Sequence, residues 1–136
     1  HSSPCLKGKE IFMIDFNSNS VFVLRKDKVL DYELVKDIII SGEQILQTYT
    51  TVRDKVIFTN KRVISVNVQG LTGSKKDFTS LPYSKIQAFS VETAGVIDAD
   101  AELDLWFSSV GKVRFRFAKG YSDASEINRI ISECVL

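Results

Sequence analysis

The strongest constraint in this chain is a pair of short segments whose apolar residues fall on every second position. Leu103, Leu105 and Phe107 share one face of an extended segment, with Glu102, Asp104 and Trp106 on the other. Val113, Phe115 and Phe117 share a face in the next segment, against Lys112, Arg114 and Arg116. Period two marks a half-buried strand, and two such strands in succession predict a hairpin. In-facing residues must meet in-facing residues, which requires an odd-numbered loop. A three-residue loop Ser109-Val110-Gly111 places glycine where positive φ is needed. It pairs Phe107 with Val113 and Leu105 with Phe115. On the solvent face this register sets Asp104 opposite Arg116 and Trp106 opposite Arg114, a charge pair and a cation–π contact.

The rest of the chain follows the same period. Ile45 to Tyr49 alternates, and Val56–Thr59 and Val63–Val68 flank Asn60-Lys61-Arg62, a hairpin in which Asn tolerates the left-handed turn conformation. Gly70 to Ser74 reads as a turn, Lys76 to Leu81 as a strand ended by Pro82, and Ile86 to Val91 as the next strand. Two segments break the pattern. Leu30, Leu34, Val35, Ile38 and Ile39 recur at helical spacing and stop at Ser41-Gly42, which predicts a short N-terminal helix. Ile127, Ile130, Ile131 and Cys134 form a second helical stripe behind Ser122, a capping residue with Asp123 and Glu126 near the positive helix end. Ahead of these, Val21-Phe22-Val23-Leu24 follows a polar Asn/Ser stretch, as a short strand or an N-terminal arm. The order is about seven antiparallel strands and one closing helix, mainly β, which suits a small, partly open barrel with the helix across one opening.

Composition narrows the function classes. A chain of 136 residues is one domain and buries enough surface to need no metal or disulfide. Eighteen basic residues stand against 17 acidic ones, without the basic excess typical of nucleic-acid binders. The single methionine is Met13, so residues 1–12 read as the remnant of an expression tag and 13–136 as a single domain. That leaves Cys134 as the one thiol and no histidine, which points to a reducing, cytoplasmic compartment.

The stretch Val52 to Ile64 resembles the bacterial pleckstrin-homology (PH) domain family of small stand-alone proteins, as do Val68 to Lys76, Phe78 to Ile86 and Phe89 to Gly95. Asp100-Ala101-Glu102-Leu103 and the closing Ile131 to Leu136 agree, so the resemblance covers Met13 to Leu136. It implies a PH-like barrel with a C-terminal helix. It also implies closed homo-oligomeric rings in which neighbours pair along strand edges, a device that covers an otherwise hazardous edge without open-ended growth. It does not imply an enzyme activity, a cofactor or an established lipid ligand.

No catalytic residues are read from the sequence: Cys134 has no base partner and no nucleophile or metal motif occurs. The acidic series Asp98, Asp100, Glu102, Asp104 has the oxygens of a Ca²⁺ site, but its second half reads as the outer face of a strand with arginine opposite. Two surfaces remain as expectations. Lys55, Lys61, Arg62, Lys75 and Lys76 lie in or near hairpin turns and are candidates for holding an anionic phospholipid or phosphoinositide. Val21, Phe22, Val23 and Leu24 are candidates for an arm that lies along a neighbouring copy. The expected role is a non-catalytic, homo-oligomeric interaction module.

Overall fold

The computed structural model describes residues 23–92, 101–118 and 124–136. Among these residues, eight strands form two antiparallel sheets. The first holds β1 (Arg25–Lys26), β2 (Ile45–Thr50), β3 (Lys55–Thr59), β4 (Arg62–Gln69) and β5 (Lys75–Pro82), in that spatial order. A 3-10 turn at Tyr83–Lys85 leads into the second sheet, β6 (Ile86–Glu92), β7 (Ala101–Phe107) and β8 (Gly111–Phe117). Helix α2 (Ala124–Val135) closes the chain and packs on β6, β7 and the 3-10 turn. The strands make an open sandwich of two sheets rather than one closed barrel.

The in-facing residues of both sheets fill the space between them. Tyr49, Phe58 and Phe117 meet edge to face, with centroids 4.8 Å apart for Tyr49–Phe117 and 5.6 Å for Tyr49–Phe58. Leu103, Leu105, Phe115, Val56, Val63 and Leu81 pack around them, and Ile127 and Ile131 of α2 complete the same core. The helical stripe read from sequence therefore does bury its apolar face.

One side of the sandwich is stitched. Leu24 donates its backbone N–H to the Arg116 carbonyl at 2.8 Å and accepts from the Ala118 N–H at 2.7 Å, in a parallel bridge with Phe117. The next two residues, Arg25 and Lys26, pair with β2. Three consecutive residues thus join the two sheets. On the other side β5 and β6 are the outer strands of their sheets, connected through the 3-10 turn.

Three local expectations are corrected. The β7–β8 hairpin turns one residue earlier than read: its three-residue loop is Ser108-Ser109-Val110, which shifts each partner by two, so that Leu105 meets Val113 and Leu103 meets Phe115. A shift by two keeps every face. It also gives each arginine an acid: Arg114 grips Asp104 through two nitrogens at 2.8 and 3.0 Å, and Arg116 reaches Glu102 at 2.9 Å. Trp106 faces Lys112, so the cation–π contact with Arg114 is not formed. Gly111 still supplies the positive φ, at 81°.

The N-terminal helix is a single turn, α1 (Tyr32–Val35). Its apolar residues bury as expected, with Val35 on Ile57, Ile64 and Val66 of the outer sheet face and Leu34, Ile38 and Ile39 beside them. The Val35 carbonyl still accepts from the Ile38 and Ile39 N–H groups at 2.9 and 3.1 Å, but beyond them the Ile38 carbonyl accepts from Arg62 and the Ile40 N–H donates to Glu43. At the β3–β4 turn Asn60 is not left-handed; the positive-φ non-glycine among the described residues is Asp31. Asn60 works through its side chain, donating to the Gly42 carbonyl at 3.0 Å and accepting from the Gln44 N–H at 2.7 Å.

Candidate functional site

The five basic candidates do not form one cluster. Lys61 is exposed at the β3–β4 turn, whereas Lys75 and Lys76 open β5 at the far end of the sheet. The register Arg62↔Pro82 to Gln69↔Lys75 puts about 23 Å of strand between those ends, at about 3.3 Å per residue.

The other two cations are already used. Arg62 binds Glu43 with both prongs, Nε to Oε2 at 2.9 Å and Nη2 to Oε1 at 3.0 Å, and also reaches the Ile38 carbonyl and Ser80. The Glu43 side chain is 0% exposed. Burial opposes its charge, but Arg62, the Thr59 hydroxyl at 2.6 Å and the Ile40 N–H together hold its pKa down to about 2. Thr59 Oγ1 accepts from the N–H groups of Lys61 and Arg62, and the Tyr83 hydroxyl donates to the Thr59 carbonyl at 2.6 Å. Burial pushes the Tyr83 hydroxyl pKa well above its usual range, with Cys134 beside it adding to the shift. Such a fully bonded group locks the hairpin and leaves Arg62 little to offer a ligand.

Lys55 lies on the outer face under the N-terminal segment, 2.9 Å from Asp27 and 3.3 Å from Asp31. Burial works against all three charges. On Asp27 the Lys55 ammonium and hydrogen bonds win and lower the pKa; on Asp31 burial wins and raises it; on Lys55 the two acids win and raise it. This triad staples the N-terminal segment to β3. In the acidic series, Glu102 and Asp104 are engaged by Arg114 and Arg116, while Asp98 and Asp100 lie outside the described residues.

Of the four arm candidates, Val21 and Phe22 lie outside the described residues. Val23 is half-buried, and Leu24, 3% exposed, belongs to the core of its own chain. The sequence reading missed Glu43, Thr59 and Tyr83, whose meeting depends on register. It also passed over Val52 and Leu71, although an aliphatic inside an otherwise polar turn was visible in the string.

Against this geometry, the family model of the bacterial PH domain matches residues 16–135. The chain belongs to the bacterial PH-domain family. It is 36% identical to a DUF1696 family protein with a pleckstrin-homology domain from Shewanella loihica PV-4, with a TM-score of 0.73 over 84% of this chain and 98% of that one. A pleckstrin-homology domain from Shewanella amazonensis SB2B is 37% identical, with a TM-score of 0.61, 77% of this chain and 85% of that chain being covered. Among curated proteins, the uncharacterized protein YjqA of Bacillus subtilis (strain 168) is 47% identical over 76 residues, 56% of this chain. The match spans 61% of that relative's length. None of these names carries a catalytic activity, and among the described residues no helix is long and apolar enough to cross a membrane.

Proposed function

We propose that this PH domain is a non-catalytic module that joins copies of itself edge to edge into a closed ring and presents the ring to a further partner. The supporting observation is the unequal treatment of the two sides of the sandwich. Leu24 and β1 seal one side, whereas the eight-residue β5 remains the outer strand of its sheet. A long outer strand offers a row of backbone donors and acceptors, and β5 carries few of the usual protections: Lys75 and Lys76 at its start and Pro82 at its end. The outer strand of the second sheet, β6, is a different strand. Pairing β5 of one copy with β6 of the next is a head-to-tail contact, which closes into a ring when the rotation allows. Pairing β5 with β5 would stop at a dimer.

Light scattering coupled to size exclusion tests this. The expected mass is a single multiple of the 15.3 kDa chain, three or more. Proline at Phe78 or at Thr79 sharpens it, because successive N–H groups of a strand point to opposite sides. One variant loses a bond to β4 and melts early; the other dissociates the assembly with its fold intact. A monomeric wild type contradicts the reading.

The other reading, an anionic-lipid binder through all five basic residues, loses Lys55 and Arg62 to internal ion pairs and Lys61 to distance.

A further inference from the structure

Residues 24–31 form a strap along the sealed side of the sandwich. Leu24 reaches β8, Arg25 and Lys26 pair with β2, and the Asp27 N–H donates to the Thr48 carbonyl at 2.9 Å. The Leu30 carbonyl then accepts from the Thr48 hydroxyl at 2.8 Å, and Asp31 turns the chain into α1. Leu24 is the buried apolar anchor of the strap, whereas Val29 and Leu30 are exposed. Beyond Leu24 the strap is held by polar contacts.

The side-chain ties converge on Lys55 of β3. Its ammonium lies 2.9 Å from Asp27 Oδ2 and 3.3 Å from Asp31 Oδ2, so two carboxyl groups share one cation. Asp27 has a second donor, the Val29 N–H, 3.3 Å from its Oδ1. Asp31 is less well served: its Oδ2 is buried and has no aligned hydrogen-bond donor. Its backbone is left-handed, at φ 61° and ψ 39°, a conformation that Asp and Asn tolerate better than other L-residues. In that turn the Asp31 carboxyl comes within hydrogen-bonding reach of the Asp27 carboxyl. Two carboxylates only accept, so a bond between them needs a proton on one.

The surroundings add little counter-charge. Among the described residues Asp27 and Asp31 form ion pairs with Lys55 alone. Here β2 presents Thr48 and Thr50, and Val66 of β4 stands opposite Lys55. In and after α1, Glu33 pairs with Lys36 at 2.8 Å, and Tyr32 and Asp37 are exposed. On the strap itself Lys26 sits on Glu126 at 3.1 Å, and Arg25 and Lys28 are exposed. With both acids ionised the group carries one excess negative charge largely out of water; with one proton it is neutral.

We propose that Asp27, Asp31 and Lys55 form a proton-operated clasp: Asp31 that has taken up a proton donates to Asp27 and closes the strap onto β3, and Asp31 that has lost it lets the strap open. Opening uncovers the outer edge of β2, so the clasp sets how often the sealed side of the sandwich is available. Burial and the bond to Asp27 raise the Asp31 pKa, so its contribution to closure is complete below 3.8 and fades as pH rises through the raised value. Burial works against the Asp27 charge, but Lys55 and the hydrogen bonds outweigh it, so the Asp27 contribution is complete above 3.8 and fades below. The strap is held tightest near pH 3.8 and loosens on both sides. The inference does not rest on pairing through β5.

The test is residue-resolved hydrogen exchange of the full chain at one protein concentration, each rate divided by the intrinsic rate at that pH. The Leu24 and Asp27 amides, which donate to Arg116 and Thr48, read the clasp and lie outside the β5 edge. In the wild type their protection rises as pH is lowered from 7 to about 4, about tenfold for each pH unit by which closure raises the Asp31 pKa. Asp31→Asn carries a permanent N–H donor for Asp27 and tolerates the left-handed turn. Its strap should be as protected at pH 7 as the wild type is near pH 4, and indifferent to pH between them. Lys55→Met removes the shared cation, so protection at pH 7 drops and acid restores it, which the loss of a merely structural contact would not allow. Wild-type protection that ignores pH overturns the proposal, as does an Asp31→Asn strap less protected than the wild type at pH 7. A Lys55→Met deficit that persists in acid assigns Lys55 a packing role and equally overturns it.

Discussion

The two turns that flank β4 end in opposite ways. The β3–β4 turn folds its flanking residues inward: Thr59, Arg62, Glu43 and Tyr83 bond to one another until Glu43 has no exposed side-chain surface. The β4–β5 turn, with the β2–β3 turn beside it, points its apolar corners outward and keeps its cations free of ion pairs among the described residues. Both ends are rich in basic residues, yet a half-buried arginine with a bidentate partner is structure, and an exposed lysine behind a leucine is a surface. Counting cations does not separate the two; their partners do.

The largest expected effect breaks the inward end. Arg62→Met strands the Glu43 carboxylate in a dry site, and unfolding by denaturant should register a loss of about 3–5 kcal/mol. The equivalent change at the outward end, Arg53→Ala, removes an exposed hydrogen bond and should cost about 1 kcal/mol or less. Similar losses for the two would erase the distinction.

Acid provides the second test. The Glu43 pKa is about 2 in the folded protein against an ordinary 4.5, so the charged form is favoured by folding. That stability is complete above pH 4.5 and is lost as pH falls towards 2, about 3 kcal/mol in all at 1.36 kcal/mol per unit. Denaturation midpoints across this window should fall in the wild type. In Glu43→Gln the Glu43 share of that fall should vanish, at the cost of a lower plateau.

Tyr83→Phe comes next. It deletes the 2.6 Å hydrogen bond to the Thr59 carbonyl and should lower stability by about 1 kcal/mol, with the assembly unchanged. The smallest stability effect belongs to Leu71→Asn, within about 0.5 kcal/mol of the wild type by thermal melting, because the side chain is fully exposed.

Much of this fold was legible in the string. Period-two alternation gave the strands and which faces are buried, because burial alone dictates it; the i, i+3, i+4, i+7 stripe gave α2, whose Ile127 and Ile131 do reach the core. Register was less accessible. Loop parity held in the β7–β8 hairpin, but a shift by two preserves parity, and only the pairing of Arg114 with Asp104 and Arg116 with Glu102 selects between the two. The N-terminal helix was overread because the backbone groups that would extend it, the Ile38 carbonyl and the Ile40 N–H, bond to the side chains of Arg62, distant in sequence, and of its partner Glu43. The basic candidates were grouped by turn proximity, and no local signal shows that Lys55 is held by Asp27 and Asp31 or that Lys61 stands a strand's length from Lys75.

The measurement that tests the account most directly is hydrogen exchange resolved by residue at several protein concentrations. Edge pairing predicts that alternate amides of β5, those directed away from β4, are protected at high concentration and exchange freely on dilution. The β3–β4 turn should exchange at one rate throughout, since its bonds are internal. Exchange along β5 that ignores concentration would contradict the edge-paired ring.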